Sequence, residues 1–438
     1  MLKFNPESFC TQPWSNIEIT TSGDYKICCL AHSFDDDGTA TDVNGKTMNV
    51  LTHSVAEAMN SVRHKEHRLQ YSRNEKPARC TNCYHKEKVN NGIGSVRAGR
   101  NNMKEYIPEV VSYDEASMLT ADDGSINLLP VSLDVRFGNL CNMKCIMCSP
   151  YHSSLWYEDW GKLHNTTEFK HGTNKQAKVY NIVQDQHGRF GDNLPEWWES
   201  EVWWKRFEEL APNLRTIYPE GGEPMLVPAH ADMLQKLIDW DYAKNIVLEY
   251  DTNLSALNPK IISKFKHFKN IDLRVSVDET GDRYELVRFP GKFKTLMRNM
   301  TMARQAGLEF SKLTCCVGIA TIYCPIRVNV IAKRFHTKMS YRFLYGPEGH
   351  NIALLPKSAK LEIIETYRAN AEAAGEAATG IPNYLEEHMD IDRPDKIKVF
   401  VNYMNKLDEI RGTDWKKTLP DIYSLLSRHC SHAFTNDQ

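Results

Sequence analysis

Three cysteines stand in one short loop of the chain, in the segment GNLCNMKCIMCSP. They are Cys141, Cys145 and Cys148, separated by four and then three positions. A structural zinc site uses four protein ligands, and a disulfide framework needs an even number of cysteines spread along the chain. Three thiolates at this spacing therefore predict a cluster or metal that keeps one coordination position open. A zinc or electron-transfer site with the same spacing remains the alternative.

A second group of cysteines lies in the first hundred residues. Its members are Cys10, Cys28, Cys29, Cys80 and Cys83. Neighbouring residues on a strand point to opposite faces, so only one of Cys28 and Cys29 should be a ligand. The remaining four thiolates, which include a CxxC pair, would suit either a structural zinc ion or an iron–sulfur cluster.

The composition limits where such chemistry takes place. The chain has 438 residues, so two or three structural units are expected. Its net charge of −2 argues against a partner held by nucleic-acid backbone electrostatics. The start MLKFNPESFC has no apolar signal region, and no stretch approaches the ~18 apolar residues of a membrane span. We therefore expect a soluble, cytoplasmic protein whose twelve cysteines bind metal rather than form disulfides.

Strands and helices alternate from about residue 128 to 347. The predicted strands are 131–137, 214–220, 245–251, 271–277, 312–321 and 339–345. Such alternation indicates parallel strands joined by right-handed crossovers. Six units are too few for an eight-stranded barrel, so the α/β region is predicted to be a partial (β/α)6 TIM-like barrel. An open doubly wound sheet is the alternative.

Cysteine content and the pattern of apolar residues divide the chain into three predicted regions. They are a cysteine-rich region at 1–115, the barrel at 116–347 and a helical extension at 348–438. The barrel carries a long insertion at 151–212 with the tryptophan-rich run EWWESEVWWKRF. An amphipathic helix that buries two or three indoles is the favoured interpretation. An aromatic wall or lid over a site is the alternative, because long insertions are often functional.

The sequence CNMKCIMC resembles the CxxxCxxC signature of the radical S-adenosylmethionine (SAM) enzymes. The resemblance implies that Cys141, Cys145 and Cys148 hold a [4Fe–4S] cluster whose fourth iron is chelated by the amino and carboxylate groups of SAM. The family often has an aromatic residue before the third cysteine, near the adenine. Here that position is Met147, which can also cover an adenine face.

Three later segments strengthen this resemblance, because each follows a predicted strand in the order of the family. They are PEGGEP, with Gly221, Gly222, Glu223 and Pro224; YDTNLSAL, with Thr252 and Asn253; and VSVDETGDRYELVRFPGKF, with Ser276, Asp278 and Arg288. Two glycines let backbone approach a ligand closely. The resemblance implies that PEGGEP holds the SAM amino group. It also implies that Ser276 and Arg288 contact the SAM carboxylate or ribose, while Asp278 shapes the loop.

The amino-terminal pattern C-x(n)-G-x4-C … C-x2-C resembles the twitch domain, the shortened form of the SPASM domain. That resemblance implies one auxiliary iron–sulfur cluster held by Cys10, Cys28, Cys80 and Cys83, with zinc as the alternative. Family twitch domains usually follow the barrel, whereas this one precedes it.

Strand parity places charged residues on one face of the predicted sheet. Asp134 and Arg136 share a face of their strand, as do Arg274 and Ser276 of another. This face should point into the barrel lumen, where the charges pair with one another or with a polar substrate. Cys324 is predicted to end strand five at the same end of the barrel. Packing is its favoured role, and hydrogen-atom donation to a substrate radical is the alternative.

The resemblance also implies a reaction. A radical SAM enzyme cleaves SAM reductively to a 5′-deoxyadenosyl radical, which abstracts hydrogen from its substrate, here a peptide, protein or small polar molecule. An oxidation or side-chain modification assisted by the auxiliary cluster is expected, with an external reductant such as flavodoxin or ferredoxin. The alternatives are a non-catalytic iron–sulfur or zinc protein that binds a partner through the tryptophan-rich insertion, and a radical methyltransferase.

Overall fold

The computed structural model describes residues 2–32, 38–89, 95–171 and 178–435, and an eight-stranded sheet runs through it. The strands are β1 (Asn16–Ile19), β2 (Tyr25–Lys26), β3 (Ser132–Arg136), β4 (Glu168–His171), β5 (Lys178–Gln184), β6 (Phe190–Asp192), β7 (Thr216–Glu220), β8 (Val247–Thr252), β9 (Asn270–Ser276), β10 (Phe310–Val317) and β11 (Lys338–Phe343). All six strands predicted between residues 128 and 347 are present.

The order of the main sheet is β11-β10-β9-β8-β7-β3-β1-β2. From β3 to β11 all pairs are parallel, and each strand lies beside its successor within this sheet. A doubly wound sheet would reverse this order at a switch point, so the alternative topology is not the one observed. The α/β prediction with a parallel sheet is confirmed, while closure into a partial barrel stays a prediction.

The apolar face of the sheet packs under helices. Leu133, Val135, Ile217 and Leu273 are fully buried and belong to one core cluster. This cluster includes apolar residues of helices between the strands, such as Met233. Alternation along each strand therefore leaves the charged residues on the opposite face, as the parity argument predicted.

Helices cover the sheet and form the carboxy-terminal region. The α-helices are Gln12–Ser15, Val55–Met59, Val62–Ser72, Thr81–Val89, Val96–Asn102, Tyr113–Leu119, Tyr157–His164, Glu201–Leu210, Pro228–Asp239, Pro259–Phe265, Gly281–Val287, Phe293–Gln305, Cys324–Arg334, Lys357–Ala369, Ala371–Ala374, Ala377–Glu387, Pro394–Arg411, Trp415–Thr418 and Pro420–His429. Among the residues that the structure describes, no helix combines the length and the apolar character that a membrane crossing needs.

The amino-terminal region joins the sheet directly. Strand β1 pairs in parallel with β3, and β2 pairs with β1 in antiparallel fashion. The predicted boundary at residue 115 falls inside the helix Tyr113–Leu119. The cysteine-rich segment is thus fastened to β3, the strand that precedes the three-cysteine loop.

The insertion contains a small sheet that the sequence analysis did not predict. Strands β4, β5 and β6 form an antiparallel three-stranded sheet, while residues 172–177 lie outside the described part. The tryptophan-rich run forms a short 3-10 turn and the helix Glu201–Leu210. Trp197 and Trp203 are almost fully buried, and the indole of Trp197 donates a hydrogen bond to the Thr21 carbonyl at 3.1 Å. The packing interpretation therefore fits this run.

Strand five differs from its prediction. It runs over Phe310–Val317 rather than 312–321, and Cys324 begins a helix instead of ending a strand. Gly318 and a 3-10 turn at Ile319–Thr321 stop the strand early. The Cys324 side chain is fully buried, with its Sγ 3.5 Å from the Val277 carbonyl oxygen, so packing rather than hydrogen donation fits its position.

Candidate active site

A cavity of about 340 Å³ opens where β7, β8, β9 and β10 approach the three-cysteine loop. Eleven of the twelve residues that the motifs predicted for the cluster and SAM line it, although they come from four separate stretches of the chain. They are Cys141, Cys145, Cys148, Gly221, Gly222, Glu223, Pro224, Asn253, Ser276, Asp278 and Arg288. Met147 is not among them; it packs against the core, whereas Met143 lines the cavity.

The three thiols lie close enough to affect one another. Burial raises the pKa of Cys141 to about 12, with the charge of Cys145 adding to it. A hydrogen bond from Cys148 lowers the pKa of Cys145 to about 7, assisted by the charge of Arg288. Three converging thiols, one of them stabilised as a thiolate beside an arginine, form a donor set that fits an iron–sulfur cluster with one open iron position.

Backbone hydrogen bonds fix the cysteine loop to the segment that carries Arg288. The Lys144 amide donates to the Phe289 carbonyl at 2.6 Å, and the Ile146 amide donates to the Val287 carbonyl at 2.9 Å. These two bonds hold the cysteine loop against the segment that carries the arginine. Sequence reasoning placed both at the site but had no signal for this pairing.

The carboxy-terminal region supports the same loop, a role that the sequence analysis missed. The Tyr403 hydroxyl, on the helix Pro394–Arg411, donates a hydrogen bond to the Ile146 carbonyl at 2.8 Å. Arg411 forms an ion pair with Asp159 at 2.7 Å, and its guanidinium lies 4.7 Å from the ring centroid of Trp156. The Trp156 indole in turn donates to the Cys145 carbonyl at 3.1 Å. The sequence analysis found no signal for this contact.

The glycine turn packs against the cysteine loop. A Cβ added at Gly222 would lie 2.4 Å from the Leu140 carbonyl oxygen, and one at Gly221 would lie 2.9 Å from the Gly138 oxygen. Gly221 also has a φ of 137°, which side chains disfavour. The glycines were predicted to let backbone approach a ligand. In the structure they also let it approach the backbone of the cysteine loop, which is a second reason for glycine at these positions, and the approach to a ligand stays a prediction.

The carboxylate of Glu223 holds the turn in place from inside. Its two oxygens accept hydrogen bonds from the Thr252 hydroxyl at 2.7 Å and the Asn253 amide at 2.8 Å. Glu223 is almost fully buried, and burial raises its pKa. The side-chain amide nitrogen of Asn253 reaches the other way, 4.0 Å from the Cys141 sulfur and 3.2 Å from the side-chain oxygen Oδ1 of Asn142. Asn142 was not predicted as a site residue.

Asp278 orients Arg288 towards the thiols. One carboxylate oxygen of Asp278 accepts the Cys316 amide at 2.7 Å, and the other accepts the Arg288 guanidinium. Burial acts to lower the pKa of Arg288, but the charges of Cys145 and Asp278 raise it well above its ordinary value. A permanently charged guanidinium in this position suits a carboxylate ligand.

A larger polar cavity of about 650 Å³ adjoins the first and shares Tyr218, Glu220 and Arg342 with it. Arg136 forms ion pairs with Glu18 at 3.3 Å and with Glu220 at 2.6 Å. The predicted charged face of the sheet thus contains an internal ion-pair network. His152 lies between the first cavity and the network, and burial together with Arg136 lowers its pKa to about 4.

The same network continues from the amino-terminal region across the middle of the sheet. Arg100 lies 3.6 Å from Asp134 and 2.6 Å from Glu249. Arg274 lies 3.1 Å from Glu249 on its other side. Strand parity predicted that Asp134 lies on a charged face. Its cationic neighbour, Arg100, comes from the helix Val96–Asn102 of the cysteine-rich region.

The amino-terminal thiols divide into two environments. Burial raises the pKa of Cys10, and the charges of Cys80 and Cys83 raise it further. Burial also raises the pKa of Cys28, and the charges of its neighbours raise it further; these neighbours are Cys29, Cys80, Cys10 and Cys83. The pKa of Cys29 is raised by burial and then by Glu220, Asp134 and Glu18. Cys28 therefore belongs with the other thiols, and Cys29 faces carboxylates.

The spacing of the four thiols distinguishes the groups they suit. Zinc at about 2.3 Å from each sulfur brings tetrahedral thiolates to within about 4 Å of one another. Within the described residues, only Cys29, Asp134 and Glu220 form a group of three or more such donors within 4.8 Å of each other. No three of the described thiols Cys10, Cys28, Cys80 and Cys83 meet this limit, whereas a tetrahedral zinc site would need all four sulfurs within about 4 Å of one another.

The model of the SPASM family, an iron–sulfur cluster-binding domain, matches residues 10–84. This stretch contains Cys10, Cys28, Cys80 and Cys83. The chain carries a SPASM domain. The resemblance inferred from the cysteine pattern is confirmed, and so is the iron–sulfur cofactor of this domain. The match precedes the three-cysteine loop in the chain.

The chain is also similar to solved structures, although none of the curated proteins matches it. The crystal structure of Streptococcus suis SuiB bound to S-adenosylmethionine has 12% identity and a TM-score of 0.36, over 84% of this chain and 71% of that one. The crystal structure of SuiB bound to precursor peptide SuiA has 11% identity and a TM-score of 0.35, over 85% and 71%. These likenesses are distant, and the function proposed below rests on the residues of this chain.

Proposed function

We propose that the chain is a radical SAM enzyme that acts on a peptide, a protein or a small polar molecule. The observation that carries the proposal is the convergence of eleven motif residues from four stretches of the chain on one cavity. When bound, a [4Fe–4S] cluster with SAM would supply a 5′-deoxyadenosyl radical for hydrogen abstraction from the substrate. Cys141, Cys145 and Cys148 are the proposed cluster ligands, and Met147 is left without support as an adenine contact.

The proposed roles of the other residues follow from their contacts. Arg288, held by Asp278, is placed to bind the SAM carboxylate, and Ser276 lies beside it in the same cavity. Both carboxylate oxygens of Glu223 already accept hydrogen bonds, one from Thr252 and one from Asn253. Its part is therefore to position the turn, so that backbone rather than its side chain meets the SAM amino group.

The adjoining cavity of about 650 Å³ is the proposed substrate site. Its volume is in the range of ordinary ligand sites, and Arg136, Arg274 and Glu220 make its lining strongly polar. A polar substrate can form hydrogen bonds with these ion-paired groups, whereas an apolar one would remove water from them without replacing its hydrogen bonds. An oxidation or side-chain modification with the SPASM cluster as electron partner is the proposed outcome. Flavodoxin or ferredoxin is the proposed external reductant.

The test is anaerobic reconstitution of the full chain with iron and sulfide, followed by SAM and dithionite. The wild type should bind about eight irons and release 5′-deoxyadenosine. Cys145→Ala should lose about half of the iron and all of the 5′-deoxyadenosine, because it removes a ligand of the SAM cluster. Cys80→Ala should lose iron and still cleave SAM.

Cys430→Ala is the matched control, because Cys430 is a buried thiol among the carboxy-terminal helices, away from both cysteine sets. It should match the wild type in iron and in 5′-deoxyadenosine. SAM cleavage that persists in Cys145→Ala would refute the proposal, and so would a wild type that takes up iron at the SPASM thiols alone.

A further inference from the structure

Cys29, Asp134 and Glu220 form a cluster of donors distinct from both sets of iron–sulfur thiols. The sulfur and one oxygen of each carboxylate lie within 4.8 Å of one another. Asp134 is in β3 and Glu220 ends the neighbouring strand β7, while Cys29 follows β2, which is separated from β3 by β1 in the same sheet. Neither predicted motif of the cysteine loops accounts for this arrangement.

Asp134 is a buried carboxylate with unused oxygens. Its side chain is 1% exposed, and neither oxygen accepts a hydrogen bond from any residue that the structure describes. Arg100 lies 3.6 Å away, but its hydrogen bond goes to Glu249 at 2.6 Å. Burying such an acceptor without a donor costs free energy. The arrangement therefore indicates a ligand that meets these oxygens.

Glu220 also keeps one oxygen free towards the cluster. Its Oε2 pairs with Arg136 at 2.6 Å. Its Oε1 is buried and accepts no hydrogen bond within the described part of the chain. Arg136 therefore fixes the carboxylate and leaves the second oxygen as a ligand atom, the arrangement by which neighbouring groups orient the ligands of a metal.

We propose that Cys29, Asp134 and Glu220 bind one zinc ion. A hydrogen-bond donor would satisfy the oxygens alone, whereas a thiolate with two carboxylates is a donor set that zinc accepts. Bound donors at Zn–S and Zn–O lengths lie about 3 to 4 Å apart, so a contraction of about 1 Å closes the cluster. The Cys29 proton leaves to solvent on binding. Three protein ligands leave a fourth position, open to the 650 Å³ cavity that Cys29 and Glu220 line.

The site is tested by counting zinc and iron per chain in the anaerobic full-length protein, after dialysis against a small excess of zinc chloride. The wild type should hold about one zinc more than Cys29→Ala or Asp134→Asn, with iron equal in all three. With Co²⁺ in place of zinc, the wild type should show a near-ultraviolet thiolate-to-cobalt charge-transfer band that Cys29→Ala lacks. Cys316→Ala is the matched control, since Cys316 is also a partly buried thiol, lining the 340 Å³ cavity, and is not part of the donor cluster. It should retain both the zinc and the band.

Each outcome decides the matter. Equal zinc in the wild type and Cys29→Ala would overturn the proposal. Iron that falls together with zinc in Cys29→Ala would also overturn it, because Cys29 would then be a ligand of the SPASM cluster. Asp134→Asn gives an independent measurement, since it touches neither thiol set and should weaken zinc binding at least about tenfold. The zinc count does not depend on SAM cleavage, so failure here leaves the proposed function standing.

Discussion

Gly222→Ala should dislodge the three-cysteine loop, although it adds only one methyl group. The new Cβ would lie 2.4 Å from the Leu140 oxygen and 2.6 Å from the Asn139 oxygen, against 3.4 Å or more for an ordinary contact. Both obstacles are backbone atoms, so no side-chain rotation relieves the clash. A displacement of about 1 Å would be needed, which would also break the 2.8 Å hydrogen bond from the Glu223 amide to the Leu140 carbonyl.

The cost can be summed from these two parts. Overpacking of this kind costs about 1–3 kcal/mol, and a lost hydrogen bond costs about 1 kcal/mol. The apparent free energy of unfolding, measured anaerobically in urea by tryptophan fluorescence, should therefore fall by about 2–4 kcal/mol. Because Leu140 precedes Cys141, iron at this loop should fall as well.

The matched control is Gly99→Ala. Gly99 lies within the helix Val96–Asn102, and an added Cβ there meets nothing within 4 Å. It should leave iron unchanged and raise stability by about 0.5–1 kcal/mol, because alanine loses less backbone entropy. If Gly222→Ala stays within about 0.5 kcal/mol of the wild type and keeps its iron, the close packing of the two loops is refuted.

Three other substitutions probe different contacts. Arg411→Met should lower the free energy of unfolding by about 3 kcal/mol, the low end for a broken buried pair, because Lys144 still faces the remaining carboxylate. Burial lowers the pKa of His230 from 6.5 to about 3. Between these pH values the imidazole of His230 binds a proton in the unfolded chain but not in the folded chain. The free energy of unfolding therefore decreases as pH falls from about 6.5 towards 3. His230→Gln should reduce that slope by about 1.4 kcal/mol per pH unit, measured by urea unfolding. Asp278→Asn frees Arg288 and should weaken SAM binding about tenfold or more in equilibrium dialysis.

Controls for these variants are exposed residues of the same type. Arg393→Met, His187→Gln and Asp282→Asn should each match the wild type. Equal unfolding free energies for Arg411→Met and Arg393→Met would remove the helix Pro394–Arg411 as a support of the cysteine loop. An unchanged pH slope in His230→Gln would contradict the burial of His230. Full SAM affinity in Asp278→Asn would contradict the role of the Asp278–Arg288 contact.

The sequence by itself determined the elements and most of the site. Strand–helix alternation predicted all six parallel strands, because buried parallel strands and covering helices leave distinct local patterns. Motifs that each follow a strand placed their residues at the same edge, so eleven of twelve site residues converge without any knowledge of contacts. Strand ends were less exact, as at strand five, since a turn such as Gly318 stops a strand through its surroundings.

Only the tertiary structure decided which groups meet across the chain. Cys28 and Cys29 are adjacent in sequence, and their separation into a thiol set and a carboxylate set follows from packing against β3 and β7. The support of the cysteine loop by Tyr403 joins residues 257 positions apart. Local patterns do not encode such contacts, because they depend on how whole elements dock. The sequence also did not show that Gly222 packs against the backbone of the cysteine loop, because that contact exists only once the two loops are folded together.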